Sequence, residues 1–166
     1  KIRGEMAYKI TEISARQILD SRGIPTIETR IKTATHSAKA AVPSGGSTGS
    51  HEAQELRDHG QNYHGLSVEN AVNHVNKILF PKLKGLDVRK QEDIDEKMLI
   101  LDGTENKARL GSNAILSVSL AAATCAAKTE SKELYEYLGK GRTLPIPFAN
   151  LINGGKHAEN NLNIQE

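Results

Sequence analysis

The chain has 166 residues, 37% hydrophobic and 25% charged, an ordinary globular balance that suits one domain plus a remnant of another. A formal net charge of +2, from 22 basic and 20 acidic residues, gives no electrostatic case for nucleic acid, and no basic run is interleaved with aromatics. The single Cys125 excludes an internal disulfide, and no apolar run approaches the roughly 20 residues of a membrane helix, so the expected setting is a reducing, cytoplasmic one.

Residues 1–9 read as an extension, since the charged Lys1–Glu5 precedes Met6 without a signal-type apolar region. Ile10–Asp20 reads as a first strand and Asp20–Pro25 as a turn built on Asp, Ser and Gly23. Thr26–Thr33 alternates, with Ile27, Thr29, Ile31 and Thr33 on one face, and predicts the second strand of a hairpin. Lys39–Val42 is a third short strand ended by Pro43. Val42–Glu52 then packs three glycines and four hydroxyl side chains into eleven residues. Asp58–Leu66, with His59 and His64, is a polar exposed loop.

Helices follow. Val68, Ala71, Val72, Val75 and Leu79 form one stripe, with Ser67 as the expected N-cap and Pro81 as the stop. Asp87 is the expected cap of a second helix running to about Leu101, with Ile94, Met98 and Leu101 inward and Gly103 as an αL cap. Leu110–Ala127 carries no charge from Gly111 to Ala127 and reads as a central helix buried on most sides. Glu133–Leu138 is a short fourth helix, and Leu144–Asn153 looks like entry into a new strand. The predicted fold class is α+β: a three-stranded antiparallel meander, then about four helices over 10–140, then a further piece over 141–166.

Residue types alone leave function open. Ser44–Gly49 lacks the Gly-Lys-Ser/Thr ending of a P-loop and does not follow a βαβ strand, so it is neither a nucleotide cradle nor a dinucleotide fingerprint. By itself it is a surface loop or a binding loop. His157, beside Gly154 and Gly155, reads as a surface histidine or an acid/base group. Glu166 reads as a solvated carboxylate, and Cys125 as a small buried hydrophobe.

Longer motifs carry a resemblance. Ala15–Gly23 (ARQILDSRG), Val42–Gly49 (VPSGGSTG), Glu52–Asp58 (EAQELRD), Leu101–Lys107 (LDGTENK), Asn113–Ala121 (NAILSVSLA), Asn153–Ala158 (NGGKHA) and Asn160–Glu166 (NNLNIQE) occur in this order. Together they resemble enolase, of bacterial type, in its N-terminal part only. The resemblance implies a small α+β domain followed, from near Pro145, by the first piece of a truncated α/β barrel. It implies interconversion of 2-phosphoglycerate and phosphoenolpyruvate in glycolysis, with two Mg²⁺ ions, in a cytoplasmic homodimer. Carried over by position, Ser47 matches a lid serine that ligates the second Mg²⁺, His157 a mobile-loop histidine near the substrate phosphate, and Glu166 a carboxylate near the leaving hydroxyl. Gln165 shares that substrate-facing segment. The base lysine, the acid glutamate and the carboxylates of the first metal are expected beyond Glu166. Arg16 and Glu28 match positions of ion pairs across a dimer. The chain departs from the family at Ile24, at Gly46 in place of Ala, and over His59–Gly65. By itself the 166-residue chain is expected to be inactive; the alternative is a non-catalytic binding or interaction module. Residues after about Asn150 are expected to be poorly ordered or taken up by a neighbouring chain.

Overall fold

In a computed structural model, residues 6–46, 48–139, 141 and 143–166 are described. Three strands, β1 (Glu12–Leu19), β2 (Pro25–Lys32) and β3 (Ser37–Ala41), form one antiparallel sheet in the order β1-β2-β3. The alternation read from the sequence sets its faces. Ile13, Ile27, Thr29, Ile31 and Ala38 are buried on the inner face. The outer face pairs charge across the register, with Lys32 on Glu12 at 2.8 Å and Arg16 on Glu28 at 2.9 Å, both within this chain.

A helical run over 69–83 covers β1. It consists of α1 (Glu69–His74), a π turn (Val75–Leu79) and α2 (Phe80–Leu83). The predicted stripe is correct, since Val68, Ala71, Val72, Val75 and Leu79 are all buried. Two expectations need correction. Pro81 does not stop the helix. The Phe80 N–H reaches back five residues to the Val75 carbonyl, and the ordinary four-residue bond resumes with Lys84 N–H on Phe80. The widened turn takes up the register where Pro81 has no N–H to donate and its ring would otherwise crowd the preceding turn. Ser67 is not the cap either. The Asp58 carboxylate accepts the Glu69 and Asn70 N–H groups at 2.8 and 3.0 Å, while the Ser67 hydroxyl donates to Gln17 Oε1. From the same run, Asn76 accepts the Ala15 N–H at 2.8 Å and donates to the Ala15 carbonyl at 3.1 Å, imitating a neighbouring strand at the edge of β1.

The second predicted helix is α3 (Gln91–Asp102), with Ile94 and Met98 buried and Gly103 in the left-handed region at φ 68°. Asp87 does not cap it, because its carboxylate is taken by the Arg89 N–H and guanidinium. That guanidinium lies 3.6 Å above the Tyr8 ring, and Lys9 forms a β-bridge with Asp87. The last residues of the segment read as an extension are thus joined to the fold.

The central helix is α4 (Ser112–Thr129), which lies across β2 and β3. Eleven of its 18 residues are buried, mostly Ala, with Cys125 among them. A run of alanines buries little area per residue, so its contribution lies in close approach to the sheet. The large apolar stakes are the sheet's isoleucines, worth about 1.5–3 kcal/mol each on burial. Where Thr29 meets Ser117 the two buried hydroxyl oxygens are 2.7 Å apart, and Ser117 itself donates to the Ala114 carbonyl, so Thr29 is the donor between them. A short α5 (Leu134–Leu138) follows with a capping box from Glu133 and Glu136.

The expected strand at 144–153 is not formed. Leu144, Ile146, Phe148 and Leu151 are 82–100% exposed, and no strand occurs among the described residues 143–166. A strand requires a neighbouring strand for its N–H and C=O groups, and none lies beside this segment among the described residues.

The buried hydroxyl pair makes a direct forecast. Ser117→Ala leaves the Thr29 hydroxyl without its acceptor and should cost about 1–3 kcal/mol. Thr29→Val added to it should cost less than the sum of the two single changes, as read by urea denaturation in a double-mutant cycle.

Candidate functional site

The glycine-serine loop leaves the sheet after β3 and is tied down on both sides. Asp20, in the first turn, accepts the Ile24 and Arg22 N–H groups at 2.9 and 2.8 Å and chelates the Arg22 guanidinium. The Ile24 N–H, with the Arg22 contacts behind it, holds the Asp20 carboxyl below its usual range. Arg22 in turn donates to the Ser44 carbonyl at 3.0 Å. The Ser44 hydroxyl donates to Glu55, and Glu55 pairs with Arg57 at 2.6 Å. Arg57, with only 11% of its side chain exposed, also donates to the Pro25 and Leu66 carbonyls. At the far end Glu52 closes a turn, accepting the Gly49 N–H at 2.9 Å. A cavity of about 520 Å³ lies inside this frame, lined by Arg22, Ser44, Glu52, Glu55 and Arg57 among others.

Residues 53–57 are fixed from behind by the turn before α4. Gln54 N–H donates to the Asn106 carbonyl and Ser112 N–H to the Gln54 carbonyl, both at 2.8 Å. The Asn113 side chain spans the Leu56 N–H and C=O. Gly111 makes this approach possible, because its φ is 94° and a Cβ there would meet the Leu56 Cβ at 2.6 Å. The turn is itself organised by Asp102, which is 1% exposed and accepts the Thr104 hydroxyl, the Thr104 N–H and the Leu110 N–H. Burial pushes this carboxyl up, but those hydrogen bonds outweigh burial and hold it below the usual aspartate range.

A second polar cluster lies in 153–166. Gly154 N–H donates to the Gln165 carbonyl and Gly155 N–H to the Leu162 carbonyl, both at 3.2 Å. A Cβ at Gly154 would meet the Ile164 and Leu162 carbonyls at 2.5 and 2.6 Å, so only glycine lets the two stretches lie together. The result brings His157 Nδ1 to 2.7 Å from Glu166 Oε1 and His157 Nε2 to 3.3 Å from Gln165 Nε2.

Of the site residues expected from the sequence, His157, Gln165 and Glu166 thus come together in one cluster. Ser47 lies outside the described residues. None of 143–166 lines the loop cavity. His59 and His64 are exposed, as expected, in left-handed conformation at φ 54°. The Arg22, Glu55 and Arg57 frame did not emerge from the sequence reading; its only linear signal is charge flanking a glycine-rich loop. Among the described residues no group of three His, Cys, Asp or Glu side chains could hold a metal ion, and no helix is long and apolar enough to cross a membrane.

The fold and clusters define an α+β domain with a framed polar loop at the end of its sheet, followed by a segment bearing a His-Gln-Glu cluster. Residues 10–138 match the family model for the enolase N-terminal domain, and residues 141–166 match that for the enolase C-terminal TIM barrel domain. The chain is 54% identical over 164 residues to the enolase of Thermococcus kodakarensis, 55% over 164 to that of Pyrococcus furiosus and 55% over 163 to that of Methanococcus vannielii. These alignments take in 96–98% of this chain and 38% of each relative. The chain belongs to the enolase family and spans about 38% of the length of these curated relatives.

Two forecasts test the frame. Asp102→Asn should lower stability at pH 7 by about 2–3 kcal/mol, because an amide cannot replace a carboxylate that accepts three donors. Since the folded carboxyl titrates below its unfolded value, its contribution is fully present above the unfolded value and fades as pH falls through the folded one. The gap between wild type and variant in urea denaturation should therefore narrow below about pH 4. Gly154→Ala should separate the 154–155 and 162–165 stretches and abolish the amide protection of Gly154 in hydrogen exchange, with the helical core unchanged.

Proposed function

We propose that the chain supplies the N-terminal domain, residues 10–140, and the opening of the barrel, residues 141–166, of an Mg²⁺-dependent phosphopyruvate hydratase. The reaction is the reversible loss of water from 2-phosphoglycerate to give phosphoenolpyruvate, and the full protein acts as a cytoplasmic homodimer. The observation that carries this reading is the meeting of His157, Gln165 and Glu166 on two short stretches within residues 141–166, which match the enolase barrel family model.

The chemistry explains the division of labour. The C2 proton beside a carboxylate is very weakly acidic, so its removal requires a base and concentrated positive charge. The described residues do not by themselves form an Mg²⁺ site, and Ser47 contributes at most one hydroxyl. On this reading the remaining ligands and the base belong to parts of the enzyme outside this chain. What this chain supplies is polar contact. His157 faces the phosphate, Gln165 offers an amide to the substrate, and Glu166 lies at the departing C3 hydroxyl, where it orders the water formed. The framed loop at 42–52 closes over them.

Full-length enzyme carrying Glu166→Gln or His157→Ala should lose about 10²–10⁴ in kcat with the fold intact, the scale of one acid/base group. The 166-residue chain alone should form no phosphoenolpyruvate, followed by absorbance with 2-phosphoglycerate and Mg²⁺. Mg²⁺-dependent product from the purified chain would overturn this assignment of the missing groups.

A further inference from the structure

The His157 ring is held from both sides by groups of fixed polarity. Its Nδ1 lies 2.7 Å from Glu166 Oε1, and an ionised carboxylate can only accept, so Nδ1 carries the hydrogen. Its Nε2 lies 3.3 Å from Gln165 Nε2, and an amide nitrogen can only donate, so Nε2 presents its lone pair. We propose that Gln165 is a positioning residue that, opposite Glu166, fixes His157 as the neutral Nδ1–H tautomer. In water the neutral imidazole of histidine favours the opposite, Nε2–H, form, so the contact selects against the intrinsic preference. Which ring nitrogen is protonated follows from the bond the other one makes.

The backbone makes Gln165 fit for this. Its carbonyl is pinned by the Gly154 N–H, and its Cα and Cβ lie against Gly155. The amide therefore reaches the ring from a fixed backbone. The consequence for the site is one of polarity. When a ligand phosphate displaces the Gln165 amide, the Nε2 lone pair must first take up a proton before the ring can donate to an ionised phosphate oxygen, which only accepts. The inference rests on the proposed site for its ligand, a phosphorylated hydroxy acid, but the tautomer is a property of the free chain. Its failure is therefore separable from a failure of the enolase reading.

The test is long-range ¹H–¹⁵N correlation spectroscopy of the ¹⁵N-labelled 166-residue chain, with His157 signals assigned by their loss in His157→Asn. Spectra are taken above the midpoint of the His157 titration followed in the same experiment. The wild type should give a pyrrole-type Nδ1 and a pyridine-type Nε2. Gln165→Leu removes the donor and should shift the balance toward Nε2–H. The nearly isosteric Gln165→Glu replaces donor with acceptor and should drive the proton onto Nε2. An unchanged Gly154 amide resonance checks that the backbone bond to residue 165 survives in each variant. A wild-type spectrum dominated by Nε2–H overturns the proposal, as do two variants whose His157 signals match the wild type. Loss of tautomer control leaves turnover by the full-length enzyme as a separate question, answered by the absorbance assay.

Discussion

Close approach between α4 and the sheet is the constraint on which the rest depends. Ala114, Ala121, Ala122 and Ala126 present little more than methyl groups, so the helix can lie close over Ile27 and Ile31. Thr29 and Ser117 fit at the contact because two hydroxyls that satisfy each other occupy little space. A larger side chain would lift the helix, and with it Gly111 and Asn113 at its start. Those two residues hold Leu56, and Leu56 belongs to the stretch that carries Glu55 and Arg57. Core packing is thereby transmitted to the loop within a few residues.

Two kinds of charge organise the polar parts. Asp102 is buried and accepts the Thr104 hydroxyl, the Thr104 N–H and the Leu110 N–H, so it acts as an internal cap for the turn before α4. Arg22, Glu55 and Arg57 work as a linked set around Ser44, Arg22 holding its carbonyl and Glu55 and Arg57 its hydroxyl. Exposed ion pairs are worth little singly. Their value here is geometric, since they fix where the loop begins and leave Gly46 free. A Cβ at Gly46 would meet nothing within 4 Å, so the alanine usual in the family could be accommodated there.

Much of this was legible in the chain. The meander, the stripe from Val68 to Leu79, the buried run at 112–129 and the left-handed Gly103 follow from periodicity and glycine chemistry alone. What could not be read depends on partners distant in sequence. Asp58 caps a helix that starts eleven residues later, while the adjacent Ser67 turns to Gln17. Pro81 is accommodated by a π turn that no local propensity announces. The run at 144–153 has strand composition but no neighbouring strand among the described residues. At the candidate site, His157, Gln165 and Glu166 were reached through resemblance, and their meeting depends on the absence of a Cβ at Gly154. Composition gave no means of separating them from solvated surface groups.

Asn76 has a consequence for assembly. An open sheet grows wherever a strand offers free N–H and C=O groups, and β1 is such an edge. At Ala15, in the middle of β1, both groups are already occupied by one carboxamide. A strand from another molecule would have to displace that amide and leave it unpaired beside the helix. At Ala15 the β1 edge is therefore closed by chemical saturation as well as by coverage, and one side chain stands there in place of a fourth strand.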